Sequence, residues 1–266
     1  MELQNKTLAI LGAGNLGTAI ARGLLAAGML ENNKLIMTKR KPSGLEEFAR
    51  QGITVTTDNT AAVQAADIVL ICVQPGQLAR VVAEARGALH NKLVISTLTG
   101  VTLAELAQLL PDTNTLARAM PNTALAVRQS MTCISVNASG AATRLVEAVF
   151  SVLGQTIVID DELMQAATVL GASGIAFWMR LIRATIQGGI QLGFHAPEAR
   201  KIAVQACLGA ASLLLDDPDS HPEAEIDKVT TPKGCTIAGL NEMEHMGLSS
   251  ALIKGIVVSH TKIAEI

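Results

Sequence analysis

The stretch TLAILGAGNLGTAIARGLLAAG, residues 7–28, decides how the N-terminal half of this chain folds. Five mostly apolar residues lead into Gly12-Ala13-Gly14-Asn15-Leu16-Gly17, and an amphipathic helical pattern follows. A GxGxxG run between a strand and a helix is the fingerprint of a dinucleotide-binding βαβ unit. Gly12 would make the tight turn, Gly14 would let the backbone approach a pyrophosphate, and Gly17 would let helix and strand pack closely. The alternative is a plain glycine-rich turn.

Strand and helix patterns alternate through the first 160 residues. Short apolar or β-branched runs predict strands at 7–11, 34–38, 53–57, 67–73, 92–97, 115–120 and 156–160. Helical patterns lie between most of them, as at 15–28 and 76–89. Strands that alternate with helices of this length predict a parallel sheet covered by helices on both faces. The expected fold class is therefore α/β, with a doubly wound Rossmann-type domain.

After residue 160 the strand signals stop and the sequence predicts long helices. They span roughly 161–194, 196–216 and 235–264, the last with a break at Gly247. We therefore expect a cofactor-binding domain at 1–160 and an all-helical domain at 161–266. Segments such as KIAVQACLGAASLLL (201–215) have little polar face, and helices that are apolar all round have to be buried. The helical domain is expected to form a homodimer or a larger homo-oligomer.

Composition narrows the classes of function. The 266 residues carry a formal net charge of −2, one Trp, four Phe and no Tyr, which disfavours nucleic acid and anionic lipid as partners. The cysteines, at 72, 133, 207 and 235, form no CxxC pair, which favours free thiols over a metal site. No apolar run reaches the ~18 residues of a membrane span, and no signal peptide is apparent. We therefore expect a cytoplasmic protein without a metal.

The end of the second strand indicates which dinucleotide would bind. NAD sites usually carry an acid about 20 residues beyond the glycines, but this chain has Thr38 there, followed by Lys39, Arg40 and Lys41. A hydroxyl and cations favour a 2′-phosphate, so the turn predicts NADP; a solvated basic turn is the alternative.

Ligands of open α/β sheets lie beyond the carboxyl ends of the strands. Cys72-Val73-Gln74-Pro75 after the fourth strand and Asn122 after the sixth are therefore expected to face the cofactor, and Asn59 completes the expected set. Simple turn chemistry is the alternative for both strand ends.

Five segments occur in an order that resembles the pyrroline-5-carboxylate reductase family, which completes proline biosynthesis. They are GAGNLGTAI (12–20), VISTLTGVTLAEL (94–106), RAMPNTALAV (118–127), SGIAF (173–177) and VTTPKGCTIAGL (229–240). The resemblance covers essentially the whole chain and is most specific in the last segment. It implies an NAD(P)-binding domain, a helical domain that interlocks with a partner subunit, and NADPH-dependent reduction of the cyclic imine 1-pyrroline-5-carboxylate to L-proline.

The segment 229–240 is expected to form a polar elbow, and the resemblance places it over the nicotinamide. Pro232 and Gly234 break the helix, and a helical pattern restarts at Thr236, which leaves free N–H groups at a helix N-terminus. Such a terminus binds anions, and the family's substrate carries a carboxylate. We therefore expect the backbone at Gly234 and the hydroxyls of Thr231 and Thr236 to position the substrate, with no general acid assigned. The alternative is that Thr236 only caps the helix.

Several residues depart from the family pattern near the expected site. Ile175 replaces a proline, Arg183 an acid, Gln74 a lysine and Lys233 a glycine, which leaves the preferred imine open. Two other functions remain as alternatives, a non-catalytic NADP-binding paralogue and a β-hydroxyacid dehydrogenase-like reductase. The latter needs a catalytic Lys where this chain has Arg180, and an arginine cannot release its proton at working pH.

Arg180, Arg183 and Gln187 share one face of the predicted long helix, which suits a carboxylate substrate. The alternative is an arginine pair at a subunit surface, or one paired with an acid such as Glu198. His195 interrupts the helical pattern, as does His221, and both are expected to be structural.

Overall fold

The computed structural model describes residues 3–263, which form two compact units. Of the described residues, the first unit contains 3–173 together with 260–263, and the second contains Gly174–Ser259. The sequence predicts a domain boundary at residue 160, whereas the compact units divide after Ser173.

A single sheet forms the centre of the first unit. Its order is β3-β2-β1-β4-β5-β6-β7-β8, and β1 to β6 pair in parallel. The order reverses beside β1, which places a crevice at the carboxyl ends of β1 and β4. The strands are β1 (Leu8–Leu11), β2 (Leu35–Thr38), β3 (Thr54–Thr56), β4 (Ile68–Ile71), β5 (Leu93–Ser96), β6 (Thr115–Met120), β7 (Ser130–Val136) and β8 (Gly154–Val158).

The prediction of a wholly parallel sheet is wrong at β7. The sequence predicts no strand there, yet β7 runs antiparallel to β6, with Ala117 opposite Val136. The two strands are joined by a connection containing the 3₁₀ turn Thr123–Val127, which is too short for a parallel crossover. Ser130 and Thr132 point into the protein and are buried, so hydroxyl side chains break the apolar period that would have revealed the strand.

Alternating side chains of the strands build a core on each face of the sheet. Leu8 and Ile10 of β1 belong to one buried cluster, whereas Ala9 and Leu11 belong to the other. Successive side chains of a strand point to opposite faces, so a sheet covered on both sides produces continuous apolar runs. The doubly wound architecture is therefore confirmed.

Helices of the first unit cover both faces of the sheet. The turn Asp161–Leu163 and the short helix α7 (Met164–Ala167) lead into a π-helix at Thr168–Ser173, where the sequence predicts a continuous α-helix. The helices are α1 (Asn15–Ala26), α2 (Glu46–Arg50), α3 (Asn59–Ala65), α4 (Leu78–Ala85), α5 (Leu103–Leu109), α6 (Ala141–Ser151) and α7 (Met164–Ala167).

A buried ion pair explains why the first unit extends beyond residue 160. The guanidinium NH1 of Arg118 on β6 lies 2.8 Å from Oδ1 of Asp161, and the Arg118 side chain is only 6% exposed. The other carboxylate oxygen of Asp161 accepts from the N–H of Leu103 at 3.0 Å. These contacts attach the chain after β8 to the sheet before the long helices begin.

The second unit is helical. It contains α8 (Gly174–Gln191), α9 (Ala196–Asp216), α10 (Pro222–Val229), α11 (Cys235–His245) and most of α12 (Leu248–Ile263). The predicted break at Gly247, with φ +81°, separates α11 from α12. His221, which is expected to interrupt the helical pattern, instead caps the start of α10, because Pro222 is the first helical residue and Nδ1 of His221 accepts the N–H of Glu223.

The helices of the second unit expose many large apolar side chains. Helices α8 and α9 pack so closely that a Cβ on Gly189 would lie 3.1 Å from Cβ of Ala199. Few other side chains of this unit are buried among the described residues. The exposed large apolar side chains include Trp178, Met179, Leu192, Leu208, Leu213, Leu215, Met246, Ile253, Val257 and Val258. Apolar surface of this extent marks a site of association.

By length and composition, the helical stretch Asp161–Gln191 is long and apolar enough to cross a membrane. Only 11% of the residues in its most apolar segment are buried. This differs from the expectation that no segment reaches that length. Helices that bury an apolar surface in a subunit interface have the same composition, so the stretch does not by itself indicate a membrane.

Candidate cofactor site and C-terminal elbow

The loop after β1 is fixed by its glycines and by hydrogen bonds to β2. The N–H groups of Gly12 and Ala13 donate to the carbonyl of Thr38 at 3.2 and 2.7 Å. Gly12 has a φ of +93°, and a Cβ there would lie 2.7 Å from Cγ1 of Val73. A Cβ on Gly17 would lie 2.8 Å from the carbonyl oxygen of Gly12. Both positions therefore require glycine, one for the turn and one for the packing of α1 on β1.

Gly14 leaves the N-terminus of α1 open. It is the N-cap residue, no side chain caps this helix, and a Cβ at Gly14 would meet no heavy atom within 4 Å. The next three N–H groups, of Asn15, Leu16 and Gly17, have no acceptor within the helix. Free amides at the positive end of the helix dipole bind phosphate groups. The loop therefore fits the pyrophosphate of a dinucleotide.

A cavity of about 290 Å³ lies at the carboxyl ends of β1, β2 and β4. Nine predicted cofactor contacts line it: Gly12, Gly14, Thr38, Lys39, Arg40, Asn59, Cys72, Val73 and Gln74. Ala13, Asn15, Leu16, Gly17, Pro75 and Asn122 were also predicted and are not among its lining residues. The cavity lies where the strand order reverses, which is the position expected for a ligand site.

Five lining residues were missed by sequence reasoning: Thr57, Gln77, Arg80, Val81 and Glu84. Four of them come from the helical segment that follows β4. Gln77, Arg80, Val81 and Glu84 have the spacing i, i+3, i+4, i+7, so they share one helix face. This spacing, in the helix after a strand at the switch point, was the signal that could have found them.

A chain of hydrogen bonds joins residues that line the cavity beside the basic turn. The hydroxyl of Thr38 donates to Oδ1 of Asn59 at 2.7 Å, and Nδ2 of Asn59 donates to Oε2 of Glu84 at 2.8 Å. The guanidinium NH1 of Arg80 donates to Oε1 of Glu84 at 3.2 Å. The Thr38 hydroxyl proton is thus engaged, and this side chain can meet a ligand only as an acceptor.

The cations of the basic turn differ in how they are bonded. The ammonium of Lys39 donates to the backbone carbonyl of Ser43 at 2.8 Å, so this side chain is bonded within the loop that follows β2. Arg40 and Lys39 both line the cavity, whereas Lys41 lines a neighbouring surface depression with them. Arg40 is therefore the residue of this turn best placed to bind a phosphate with its guanidinium.

Cys72 directly follows β4 and lines the cavity with a thiol that ionises less readily than an ordinary cysteine. Burial raises the pKa of its thiol from the ordinary value of 9.0 to about 12, although the hydroxyl of Thr97, 3.5 Å away, lowers it slightly. A thiol with this pKa stays protonated at neutral pH, and nucleophilic reactivity requires the thiolate. Cys72 therefore shapes the cavity rather than reacting in it.

Asn122 follows β6 and is bonded to protein at both ends of its side chain. Its Oδ1 accepts from the N–H of Ala124 at 2.9 Å, which caps the 3₁₀ turn Thr123–Val127. Its Nδ2 donates to the carbonyl of Gly171 at 3.0 Å. The amide thus connects the end of β6 to the π-helix, and its predicted contact with the cofactor stays a prediction.

The elbow contains a tight turn at Thr231-Pro232-Lys233-Gly234. The N–H of Gly234 donates to the carbonyl of Thr231 at 2.8 Å, and Lys233 has a φ of +60°. Proline followed by a residue with positive φ is the pattern of a type II turn, where glycine is usual at the third position. A Cβ on Gly234 would lie 2.5 Å from Oγ1 of Thr231. The turn therefore requires Gly234 and carries strain at Lys233.

The helix that follows the elbow begins without a capping side chain. Gly234 is the N-cap of α11, Cys235 is the first helical residue, and no side chain caps the helix. Thr236 lies at the second helical position, so it does not occupy the N-cap position. The N–H groups at this terminus have no intrahelical acceptor, which is the geometry that binds anions.

Other polar residues of the second unit have structural partners. The carboxylate of Glu198 accepts from the N–H of His195 at 3.3 Å and so caps α9, rather than pairing with the arginines of α8. Arg180 and Arg183 are exposed on α8. No cluster of three or more metal-ligating side chains occurs in residues 3–263.

Comparison with known proteins decides the family. Residues 161–266 match the family model for pyrroline-5-carboxylate reductase dimerisation, and residues 7–100 match the model for NADP oxidoreductase, coenzyme F420-dependent. The pyrroline-5-carboxylate reductase 2 of Dictyostelium discoideum is 42% identical over 276 residues, which cover 97% of this chain and 92% of that protein. The chain belongs to the pyrroline-5-carboxylate reductase family. The same organism's pyrroline-5-carboxylate reductase 1 is 44% identical over 280 residues; this chain spans about half, 51%, of that relative's length.

Solved structures agree with the pyrroline-5-carboxylate reductase assignment. A pyrroline-5-carboxylate reductase from Coxiella burnetii superposes with a TM-score of 0.91 at 27% identity and covers 98% of both chains. The Plasmodium falciparum pyrroline carboxylate reductase, solved with NADP bound, has a TM-score of 0.90 at 20% identity over 99% of this chain and 98% of its own; this is a likeness of fold alone. Membership in this family argues against the β-hydroxyacid dehydrogenase-like alternative, as Arg180 already did.

Proposed function

We propose that this protein reduces 1-pyrroline-5-carboxylate to L-proline and prefers NADPH to NADH. The observation that carries the proposal is the cavity at the switch point of the sheet in a chain of the pyrroline-5-carboxylate reductase family. The glycine loop and the uncapped α1 terminus fit a pyrophosphate, and Arg40 after β2 supplies a cation where an NAD site would carry an acid.

When bound, NADPH would supply a hydride to the C=N carbon of the protonated imine, whose nitrogen keeps its proton and becomes the amine of proline. The tasks of the chain are then to bind and to orient the two reactants. The free amides of Asn15 to Gly17 would hold the pyrophosphate. Arg40 would hold the 2′-phosphate, and the end of β4 bounds the cavity. Orientation of two reactants contributes up to ~7–11 kcal/mol in favourable systems, so no nucleophile or metal is needed.

The elbow is proposed to hold the substrate's carboxylate. Its support is the uncapped N-terminus of α11 together with the side chains of Thr231 and Thr236, which are exposed. Anions bind at such termini, and a positioned carboxylate would turn the imine carbon towards the hydride.

Residues 161–266 are proposed to form the dimerisation domain, and residues 1–160 the NADP-binding domain. The match of the C-terminal region to the family's dimerisation model and the exposed apolar helices of the second unit support this division. We further propose that the protein works in the cytoplasm, which its four free cysteines support.

Turnover of 1-pyrroline-5-carboxylate by the purified protein tests the function. NADPH oxidation and proline formation should proceed in equal amounts, and NADH should support a lower kcat/KM. A protein that binds NADPH but forms no proline would be the non-catalytic paralogue. Reduction of other cyclic imines in the same assay defines the effect of the departures at Ile175, Arg183, Gln74 and Lys233.

A further inference from the structure

Helix α4 contributes a second arginine to the cavity that the basic turn lines. Arg80 and Glu84 lie one turn apart on α4, and both line the same cavity of about 290 Å³ as Lys39 and Arg40. Their side chains retain 54% and 41% exposure, so the pair is accessible to a ligand. Neither residue belongs to the glycine loop or to the strand ends, which are the segments that predict a cofactor site from sequence.

The carboxylate of Glu84 is bonded through both of its oxygens. One accepts from Nδ2 of Asn59 at 2.8 Å and the other from NH1 of Arg80 at 3.2 Å. Arg80 offers five N–H donors in a rigid fork, and the contact with Glu84 uses one of them. The pair therefore leaves donors of Arg80 available at the cavity while Glu84 holds the side chain in place.

We propose that Arg80 is a second cation for the 2′-phosphate of NADP(H), positioned by Glu84 and acting together with Arg40. This inference rests on the proposed use of NADPH. An arginine binds a phosphate through two parallel N–H donors, which a lysine cannot do. Lys39 has its ammonium on the carbonyl of Ser43, so Arg80 supplies the second guanidinium that the basic turn lacks.

The charges around this end of the cavity favour a phosphate. Lys39, Arg40 and Arg80 contribute three positive charges and Glu84 contributes one negative charge. The excess of cations matches the ~1.5–2 negative charges of a phosphate monoester at neutral pH. Because the carboxylate of Glu84 is paired with Arg80, its negative charge is partly neutralised and repels a phosphate less.

Binding of cofactor fragments tests this role without turnover. Dissociation constants for adenosine 2′,5′-bisphosphate and for 5′-AMP are measured by titration calorimetry on the full-length protein and on Arg80→Gln. We expect Arg80→Gln to weaken the bisphosphate about tenfold, the loss of one charge-assisted contact, and to change 5′-AMP less than about twofold. Arg80→Lys should give an intermediate loss, because it keeps the charge but not the fork.

Arg50→Gln is the matched control. Arg50 is an exposed arginine of α2 that does not line the cavity, so its removal changes the net charge equally and should leave both ligands within about twofold. Equal weakening of both ligands by Arg80→Gln, or an unchanged ratio, overturns the role of Arg80. If Arg80→Gln lowers the melting temperature, the same comparison is decided by Arg80→Lys.

The outcome is independent of the proposed reaction. Selective loss of the bisphosphate in a protein that forms no proline would support Arg80 and overturn the reductase activity. Normal imine reduction with an unchanged NADPH preference in Arg80→Gln would overturn Arg80 and leave the activity intact.

Discussion

The side-chain Nδ2 of Asn122 donates to the backbone carbonyl of Gly171 at 3.0 Å and ties the end of β6 to the π-helix Thr168–Ser173. Asn122 is 8% exposed, and its Oδ1 is also bonded, to the N–H of Ala124. π-Helical turns are rare in proteins, and those that do occur are often located at functional sites. The chain continues from this turn directly into α8, so Asn122 fixes the point from which the long helix starts.

Asn122→Asp should both destabilise the protein and impair catalysis. The substitution keeps the acceptor for Ala124 but places a carboxylate against the carbonyl of Gly171, where a donor is needed. Leaving a buried group unpaired costs about 1–3 kcal/mol of unfolding free energy. We also expect kcat to fall more than about fivefold in the imine assay, because the start of α8 is no longer fixed. Chemical denaturation and steady-state kinetics measure the two effects.

Asn114 provides a matched control for this prediction. It is 7% exposed, its Oδ1 accepts from the N–H of Lys92 at 2.9 Å, and its Nδ2 donates to the carbonyl of Leu89 at 2.9 Å. Asn114→Asp should lose a similar unfolding free energy and keep its kcat. Equal kinetic losses in the two variants would reduce Asn122 to a stabilising residue.

Arg40→Asp should weaken NADPH binding far more than NADH binding. The charged contact with the 2′-phosphate contributes about 1.5–3 kcal/mol, and the introduced acid repels that phosphate. Fluorescence titration with both cofactors measures the ratio of dissociation constants. Lys41→Asp makes the same change of charge one residue on, outside the cavity, and should shift the ratio much less. An equal loss for NADPH and NADH in Arg40→Asp would show that this turn does not contact the 2′-phosphate.

Thr236→Val should raise the KM for the imine at least about fivefold, because a hydroxyl donor to the carboxylate is lost. NADPH affinity and melting temperature should stay nearly unchanged, since Thr236 is exposed and is not the N-cap of α11. Thr230→Val is the control, because the Thr230 hydroxyl already donates to the carbonyl of Asp227. A normal KM with a lowered melting temperature in Thr236→Val would mean that Thr236 only stabilises the helix.

The protein should be a dimer or a larger assembly at low micromolar concentration. The second unit exposes many large apolar side chains, among them Leu192 at 83% and Met246 at 77%, and such surface is stable only when covered. Multi-angle light scattering across a dilution series measures the mass. A 27.7 kDa particle throughout the series would contradict the proposed dimerisation domain.

Cys72 should make stability fall as the pH rises above 9. Burial raises its pKa in the folded protein to about 12, whereas the unfolded thiol has an ordinary pKa. The contribution is therefore fully present below pH ~9 and is lost as the pH rises towards 12, by about 1.4 kcal/mol per pH unit. Urea denaturation between pH 8 and 10 should show a shallower decline for Cys72→Ala than for the parent protein. Parallel declines would place the Cys72 thiol in contact with water.

Local patterns determined much of the cofactor domain. Gly12 is required by the turn, where its φ is +93°, and Gly17 by its close approach to Gly12, so the spacing of the two glycines was sufficient to predict both, although the contact of Gly12 with Val73 arises only in the folded sheet. The elbow was equally local, because Pro232 and Gly234 prevent helix continuation wherever the segment lies. Strand β7 was missed because its buried hydroxyls hide the apolar period, and their burial depends on neighbouring strands.

The sequence by itself determined the fold class, the glycine loop, the basic turn after β2 and the helical character of the C-terminal region. Only the tertiary structure decided that Thr38, Asn59 and Glu84 form one hydrogen-bonded chain, and that Asn122 bonds to Gly171. The hydrophobic periods that predict strands and helices involve residues close together in sequence. These contacts instead join residues 21 to 49 positions apart. Such contacts depend on which strands the sheet places side by side, and no local pattern records that choice.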